Sequence, residues 1–194
     1  MLVVKIGGSL YNTAELKKWL DCLEHYSQQH TVLIVPGGGP FADQVRLAQK
    51  QHHFDDKQAH HMAILAMAQF ALLLKAIKPQ CQLFHYPDNT TSPSALSLWL
   101  PDEKLLSVKE LAKNWSVTSD SLALWLAQQL HADEFIIIKR AENISSSIAD
   151  LIDQHVLDSA FEARYRVSPI KTRVISFQDH AHFTLNSTSG IVIS

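Results

Sequence analysis

The chain has 194 residues, of which 46% are hydrophobic and 19% charged, and its formal net charge at pH 7 is −2. This composition is typical of a globular domain with one substantial core, and it lacks the basic excess of proteins that bind duplex nucleic acid. We therefore expect a single domain over residues 1–194, with a small-molecule rather than a nucleic-acid partner.

The two cysteines, Cys22 and Cys81, predict neither a disulfide framework nor a CxxC metal site, because they are far apart in different predicted elements. The N-terminus is not a typical secretory signal, since Lys5 interrupts its apolar run and glycines follow. We also expect no membrane partner, because no apolar run approaches the length of a membrane span. These features favour a cytoplasmic enzyme.

The first predicted element is a strand at Leu2–Ile6, apolar except for Lys5, which leads into a turn with two glycines at residues 7–9. The ammonium group of Lys5, just before this turn, can reach a phosphate that the glycine amides hold. The alternative is a solvated lysine at the edge of the sheet. A helix with Thr13 as its predicted N-cap follows, to about Tyr26.

The second strand, residues 32–35, runs through Pro36 into three consecutive glycines, and a helical pattern resumes at Phe41. Bare glycines let backbone N–H groups approach an anion, and the following helix directs its positive dipole end to the same place. A phosphate-bearing ligand is the predicted occupant. The alternative is a tight turn that needs only positive φ.

These elements predict a βαβα unit with parallel strands, so both glycine turns lie at the strand edge where open α/β sheets bind ligands. The two turns should face one pocket.

Asp56–Ile77 is predicted as a long helix, apolar around much of its circumference. Such a helix must be covered on several sides, which favours a homodimer or larger homo-oligomer, although burial within one subunit gives the same pattern.

The segment NWSVTSDSLALWLAQQL predicts a helix capped by Thr118 or Ser119, with Asp120 in its first turn. Asp120 either only caps the helix or orients a phosphate-binding lysine or a metal ion. Smaller predicted elements are strands at 82–85, 96–100, 134–138, 173–177 and 190–193, helices at 107–112 and 158–165, and a polar turn at 88–93.

Several named motifs are absent or weak. The chain has no Walker P-loop and no zinc signature, and we predict no metal-ligating residues. His60 and His61 are adjacent on the predicted helix, which suits two different partners better than one metal. Residues 37–42 match GxGxxA, but no acid ends a strand about twenty residues on, as the dinucleotide fold requires. A Rossmann-like NAD(P) oxidoreductase is therefore a weaker alternative.

Three segments in order, VVKIGGSL, VPGGGPFAD and SVTSDSLALWLA, resemble the amino acid kinase superfamily of aspartate, glutamate and uridylate kinases. The resemblance covers residues 1 to about 139. With AHHMAILAMAQFAL, the pattern is most similar to the (aminomethyl)furanmethyl phosphate kinases of methanofuran biosynthesis and their methylotroph relatives.

The resemblance implies a three-layer αβα sandwich with a mainly parallel sheet, ATP and Mg²⁺ as cofactors, and transfer of the γ-phosphoryl group to a small phosphorylated or carboxylated metabolite. An aminomethylfuran phosphate of methanofuran-type cofactor biosynthesis is the acceptor that it suggests. Lys5 would contact the transferred phosphoryl group, and Asp120 would hold the catalytic lysines. The remaining assignments are phosphate contacts by Gly7, Gly8 and Ser9, and substrate contacts by Gly37, Gly38, Gly39, Thr118 and Ser119.

The chain departs from this superfamily after the isoleucine-rich strand, where IIIKRAENI replaces a Thr-Asp-Val-Asp-Gly-type turn. The nucleotide-binding part, at about 135–194, is also short. Lys139, Arg140 and Lys171 are candidates to replace the usual nucleotide-binding lysine, and we assign this role to Lys139. The departure leaves a second alternative, a catalytically degenerate kinase fold that serves as a binding or assembly subunit.

Overall fold

The computed structural model describes residues 1–87, 92–184 and 189–194, and one mixed sheet runs through the middle of it. The strands in these residues are β1 Leu2–Ile6, β2 Val32–Pro36, β3 Gln82–Phe84, β4 Leu96–Trp99, β5 Glu134–Lys139, β6 Thr172–Ser176 and β7 Ile191–Ile193. They lie in the order β3-β4-β2-β1-β5-β6-β7, and every neighbouring pair is parallel except β6 and β7. The predicted α/β fold with a mainly parallel sheet is confirmed.

Helices cover both faces of this sheet, which makes the three layers. Their bounds are α1 Glu15–Tyr26, α2 Gly39–His52, α3 Asp56–Ile77, α4 Ser119–Gln129, α5 Ile148–Asp153 and α6 Phe161–Val167, with short 3₁₀ turns at Gly8–Leu10, Glu103–Ser107 and Phe177–His182. Side chains alternate between the two faces along each strand. In β1, Val3 points into the core that contains α4, whereas Val4 points into the core that contains α1.

Some local predictions were wrong. The N-cap of α1 is Ala14, because the Thr13 hydroxyl donates instead to the Leu10 carbonyl at 2.9 Å and closes the preceding turn. No helix follows Ser107, which instead ends a 3₁₀ turn. The helix predicted at 158–165 begins only at Phe161, and α5 was missed. Of the predicted polar turn at 88–93, residues 88–91 lie outside the described part of the chain.

Helix α3 has the predicted bounds, and it is also the one helix in the described residues that is long and apolar enough to cross a membrane. The expectation that no apolar run approaches that length was therefore wrong. In the fold, α3 packs on α2 and on strands β2 and β4, and side chains such as Phe70 and Leu74 are fully buried. Part of its apolar character is thus that of a core helix, since 39% of the apolar window is buried in the fold.

Candidate active site

A buried cluster of charges lies at the carboxyl ends of β1 and β5. Lys5 Nζ is 2.7 Å from Asp120 Oδ1, and Lys139 Nζ donates to Asp120 Oδ2 at 2.7 Å. The exposed fractions of Lys5 and Asp120 are only 3% and 4%. One carboxylate thus holds two ammonium groups, that of Lys5 buried and that of Lys139 partly buried.

The strand pattern explains why the three side chains meet. Lys5 has the same parity as Val3 in β1, and Lys139 has the same parity as Ile137 in β5, so both lysines point to the face covered by α4. Asp120 lies in the first turn of α4. The positive end of the helix dipole and the two ammonium groups therefore act on the same carboxylate.

The electrostatics of the cluster follow from burial and from these contacts. Burial lowers the pKa of Lys5 to about 8, against the attraction of Asp120 and with the repulsion of Lys139. Burial acts to raise the pKa of Asp120, but the charges of Lys139 and Lys5 outweigh it and hold that pKa below its ordinary value. Asp120 is therefore ionised at neutral pH, and Lys5 is a cation that loses its proton in mildly alkaline solution.

The two glycine turns touch each other directly. A Cβ atom on Gly8 would lie 2.2 Å from the Gly39 nitrogen, and one on Gly37 would lie 2.5 Å from the Gly8 nitrogen. A Cβ on Gly7 would meet the Ile138 carbonyl oxygen at 2.9 Å. Close packing of backbone on backbone therefore already requires bare glycines at these positions, whatever a ligand also requires.

Gly38 and Gly39 have further reasons to be glycine. Gly38 is the N-cap of α2, and a Cβ there would lie 2.4 Å from the Cβ of Ala42 in the next helical turn. Gly39 has φ +55°, in the left-handed region that favours glycine. Within the triplet, the positive φ of the turn alternative thus occurs at Gly39, whereas close packing constrains Gly37 and Gly38, and the triplet alone does not identify a ligand.

A cleft of about 980 Å³ opens beside the charge cluster. The predicted site residues that line it are Lys5, Gly8, Ser9, Gly38, Gly39, Thr118, Ser119, Asp120 and Lys139. Gly7 and Gly37 are not among its lining residues. Arg140 also lines the cleft, whereas Lys171 lies immediately before β6 and pairs with Glu134 at 3.3 Å. Of the three cations considered for the nucleotide, only Lys171 is thus away from the cleft.

Sequence reasoning missed a stacked pair at another part of the cleft wall. The guanidinium carbon of Arg46 lies 4.2 Å from the centre of the Trp115 ring, and the Arg46 Nη1 atom donates to Asp43 Oδ1 at 3.1 Å. Trp115 Nε1 donates to Gln49 Oε1 at 2.7 Å. Arg46 follows the glycine triplet on α2, but no local pattern connects it with a tryptophan so much later in the chain.

The adjacent histidines of α3 do have different surroundings. His60 is buried, lines the cleft and is hydrogen-bonded to the backbone of Asn114, and burial lowers the pKa of its imidazole. His61 instead faces Glu103 at 3.9 Å and is not among the residues lining the cleft.

Asp158 is the other residue that sequence reasoning missed. One of its carboxylate oxygens accepts hydrogen bonds from Thr118 N at 2.8 Å, Thr118 Oγ1 at 2.8 Å and Ser121 N at 3.0 Å. The other accepts from the Ser121 hydroxyl. Burial raises the pKa of Asp158, and the nearby charge of Asp120 acts in the same direction. No sequence signal linked Asp158 to this helix start, because the two segments are far apart in the chain.

Comparisons with known proteins agree with this fold. The model of the amino acid kinase family matches residues 1–162. A curated relative, the [5-(aminomethyl)furan-3-yl]methyl phosphate kinase of Methanocaldococcus jannaschii, is 32% identical over 149 residues, which are 74% of this chain and 68% of that protein.

Solved structures of uridylate kinases have the same fold. The enzyme from Archaeoglobus fulgidus matches with a TM-score of 0.71 at 19% identity, over 100% of both chains. The UMP kinase from Bacillus anthracis matches with a TM-score of 0.70 at 15% identity, over 100% of this chain and 95% of that one. At such low sequence identity, these matches show the fold alone.

Proposed function

This chain belongs to the amino acid kinase family and is a phosphotransferase, and we propose that it transfers the γ-phosphoryl group of ATP to a small phosphate monoester of the aminomethylfuran type. The observation that carries the proposal is the pair of ammonium groups that Asp120 holds in the cleft bordered by both glycine turns: that of Lys5, which is buried, and that of Lys139, which is partly buried. Such a pair supplies fixed positive charge that can stabilise the negative charge of the phosphoryl group during its transfer.

The two alternative functions, a catalytically degenerate kinase-fold subunit and a Rossmann-like NAD(P) oxidoreductase, gain no support. The matched family and the relatives described above are kinases, which gives no reason to infer a degenerate subunit. The sheet order β3-β4-β2-β1-β5-β6-β7 also differs from the 3-2-1-4-5-6 order of the dinucleotide-binding fold. The GxGxxA match at residues 37–42 is therefore not a reason to propose NAD(P) chemistry.

The chemistry of phosphoryl transfer suits this site. Charge spreads over the equatorial oxygens of the transferred group, so positioning and electrostatic stabilisation supply most of the catalysis. Asp120 is a poor general base, because its pKa is lowered and both of its oxygens face ammonium groups. A phosphate monoester needs no such base, since it is already largely ionised at pH 7. This supports a phosphorylated acceptor over one that reacts through a hydroxyl.

The cleft also fits the nucleotide. Glycine amides at Gly8 and Gly38 are suited to phosphate oxygens, and Lys139 and Arg140 add positive charge beside them. No group of three His, Cys, Asp or Glu side chains in the described residues could hold a metal ion. Mg²⁺ would therefore be held mainly by ATP phosphates and water, where it neutralises phosphate charge.

The rest of the cleft offers complementary groups to an acceptor that has a phosphate, a flat ring and an ammonium group. Arg46 provides a cation for phosphate, Trp115 provides an aromatic surface, and Asp153 provides a carboxylate. The relative's printed substrate carries all three chemical groups. This match supports an aminomethylfuran phosphate over a free amino acid.

The proposal is tested by measuring ADP release from ATP and Mg²⁺ with each of four acceptors. These are [5-(aminomethyl)furan-3-yl]methyl phosphate, UMP, aspartate and glutamate. We expect the furan phosphate to give the highest kcat/KM. Its product should be visible by ³¹P NMR as a furan diphosphate in addition to ADP. A higher kcat/KM with UMP would overturn the acceptor assignment.

We further propose a homodimer or larger homo-oligomer. Met62, Leu65 and Leu72 lie on one stripe of α3 and are 40%, 45% and 51% exposed. Isolated exposed apolar residues are common, but a helical stripe of them suits a two-fold contact with a second copy. Light scattering should report a dimer or larger species, and Leu72→Glu should shift it toward the monomer. A monomeric wild-type protein at micromolar concentration would refute this proposal.

A further inference from the structure

Asp158 makes an unusual number of contacts for a side chain that the proposed chemistry does not use. Its carboxylate accepts four hydrogen bonds, all from Thr118 and Ser121, which flank Asp120. Two of the donors are backbone N–H groups at the start of α4, which otherwise have no partner within the helix. Asp158 therefore caps α4 from a distant part of the chain, in place of a local N-cap side chain.

The contacts fix the turn that carries Asp120. Thr118 precedes α4 and Ser121 lies in its first turn, so a carboxylate bonded to both limits movement of the residues between them. A displacement of about 1 Å at a distant position can reduce a reaction rate by roughly 10²-fold. Asp158 thus contacts the turn whose Asp120 holds Lys5 and Lys139.

The charges of the cluster also connect Asp158 with Lys5. Lys5, Lys139, Asp120 and Asp158 together contain two positive and two negative groups, and three of them are buried while Lys139 is 16% exposed. The charged groups that act on Lys5 are Asp120 from α4, Lys139 from the end of β5 and Asp158 from the segment after α5. Asp158 favours the charged form of Lys5, whereas Lys139 disfavours it.

Building on the proposed phosphoryl transfer, we infer that Asp158 is a positioning residue for this reaction, which holds the first turn of α4 where Asp120 meets Lys5 and Lys139. Residues 152, 153 and 155–159 line the cleft next to this turn. The same carboxylate therefore joins the segment after α5 to the helix that carries Asp120. A purely structural cap would stabilise α4 without affecting the lysines.

The test is Asp158→Asn, which preserves the size of the side chain but removes its charge and one acceptor oxygen. We expect kcat at pH 7 to fall roughly 10²-fold, with KM for ATP changed less than about threefold. The alkaline limb of the kcat profile should also move to lower pH, because Lys5 loses a charge that favours its ammonium form. The matched control is Asp150→Asn on α5, whose carboxylate bonds to Ser145 outside the cleft and should leave both quantities unchanged.

A second measurement does not depend on the acceptor. NMR of protein labelled at the lysine ε-carbons follows the titration of Lys5 in wild type, Asp158→Asn and Asp150→Asn. The inference expects a lower Lys5 pKa in Asp158→Asn only. If wild type transfers phosphate to none of the acceptors, the proposed function fails, and this titration still decides whether Asp158 controls the lysine cluster.

Ser121→Ala covers the case in which Asp158→Asn does not fold, because it removes one hydrogen bond and retains the charge. We expect about a tenfold lower kcat with a melting temperature near that of wild type and an unmoved alkaline limb. Asp158 would be only a structural cap if Asp158→Asn, or Ser121→Ala where the former does not fold, kept wild-type kcat. An unchanged Lys5 pKa in a folded Asp158→Asn protein would overturn the inference as well.

Discussion

Lys5 Nζ and Asp120 Oδ1 lie 2.7 Å apart although the two side chains are only 3% and 5% exposed. Taking both charges out of water costs several kcal/mol per ion, and a well-packed apolar pair is often at least as stable. Stability therefore does not explain this pair. Buried charges with perturbed pKa values in a cleft are typical of catalytic sites, and each of the following predictions separates catalysis from stability.

Lys5→Met should reduce turnover far more than stability. Loss of one preorganised charge contact typically lowers kcat by about 10² to 10³-fold. The free energy of unfolding should stay the same or increase, since the variant avoids the desolvation of one ammonium group and Asp120 retains Lys139. Lys18→Met on the exposed side of α1 is the control, and it should behave as wild type. Turnover of Lys5→Met within a few-fold of wild type would exclude the proposed role.

Asp120→Asn should impair both activity and stability. The substitution leaves the buried ammonium group of Lys5 beside that of Lys139 without their anion, and removal of one partner from a buried pair costs about 3 to 5 kcal/mol. A residue that only caps α4 would cost no more than about 1 kcal/mol, because asparagine is an equally good cap. Urea denaturation together with kcat measures both effects. A variant with full activity would show that Asp120 is only a cap.

Activity and stability should respond to alkaline pH in opposite directions through Lys5. Its pKa is about 8 in the folded protein and 10.5 as the unperturbed value, so between these pH values the unfolded state binds more protons. The Lys5 contribution to the free energy of unfolding is therefore lowest below pH 8 and rises by a few kcal/mol toward pH 10.5.

Over the same range kcat should fall with an apparent pKa near 8, because the ammonium group is lost. The difference in unfolding free energy between wild type and Lys5→Met, measured in urea from pH 7 upward, isolates the stability effect. An alkaline limb of kcat that survives unchanged in Lys5→Met would have to come from another group.

The glycine triplet is tested by a pair of substitutions, Gly38→Ala and Ala42→Gly, which together move one methyl group from residue 42 to residue 38. Gly38→Ala should destabilise the protein by about 1 to 3 kcal/mol, since the new Cβ would lie 2.4 Å from that of Ala42. Ala42→Gly alone should cost about 1 kcal/mol, as glycine does within a helix. The double variant relieves the clash and should be less destabilised than the sum of the two single variants.

Thermal stabilisation by Mg-ATP then distinguishes packing from ligand binding at Gly38. If a ligand contacts this backbone, the double variant recovers its packing but not its response to Mg-ATP. A response equal to that of Ala42→Gly would mean that the triplet serves only the turn.

The sequence by itself determined the elements whose signal is local. The apolar runs of β1 and β2, the glycine turns that follow them and the apolar periodicity of α3 and α4 all depend on neighbouring residues. Lys5 was recognisable because a charge inside an apolar strand is rare, and Asp120 because the first turn of a helix has a characteristic composition. Parallel strands then required both glycine turns to lie at one edge of the sheet.

Only the tertiary structure decided which distant groups share a site. Asp120 meets Lys139 because β5 lies next to β1, and Asp158 reaches Thr118 from 40 residues away through the fold of the segment after α5. The contact between Gly8 and Gly39 likewise requires both turns to be folded. Periodicity fixes which face a side chain takes, but the distance between two segments depends on how the helices and strands pack against each other.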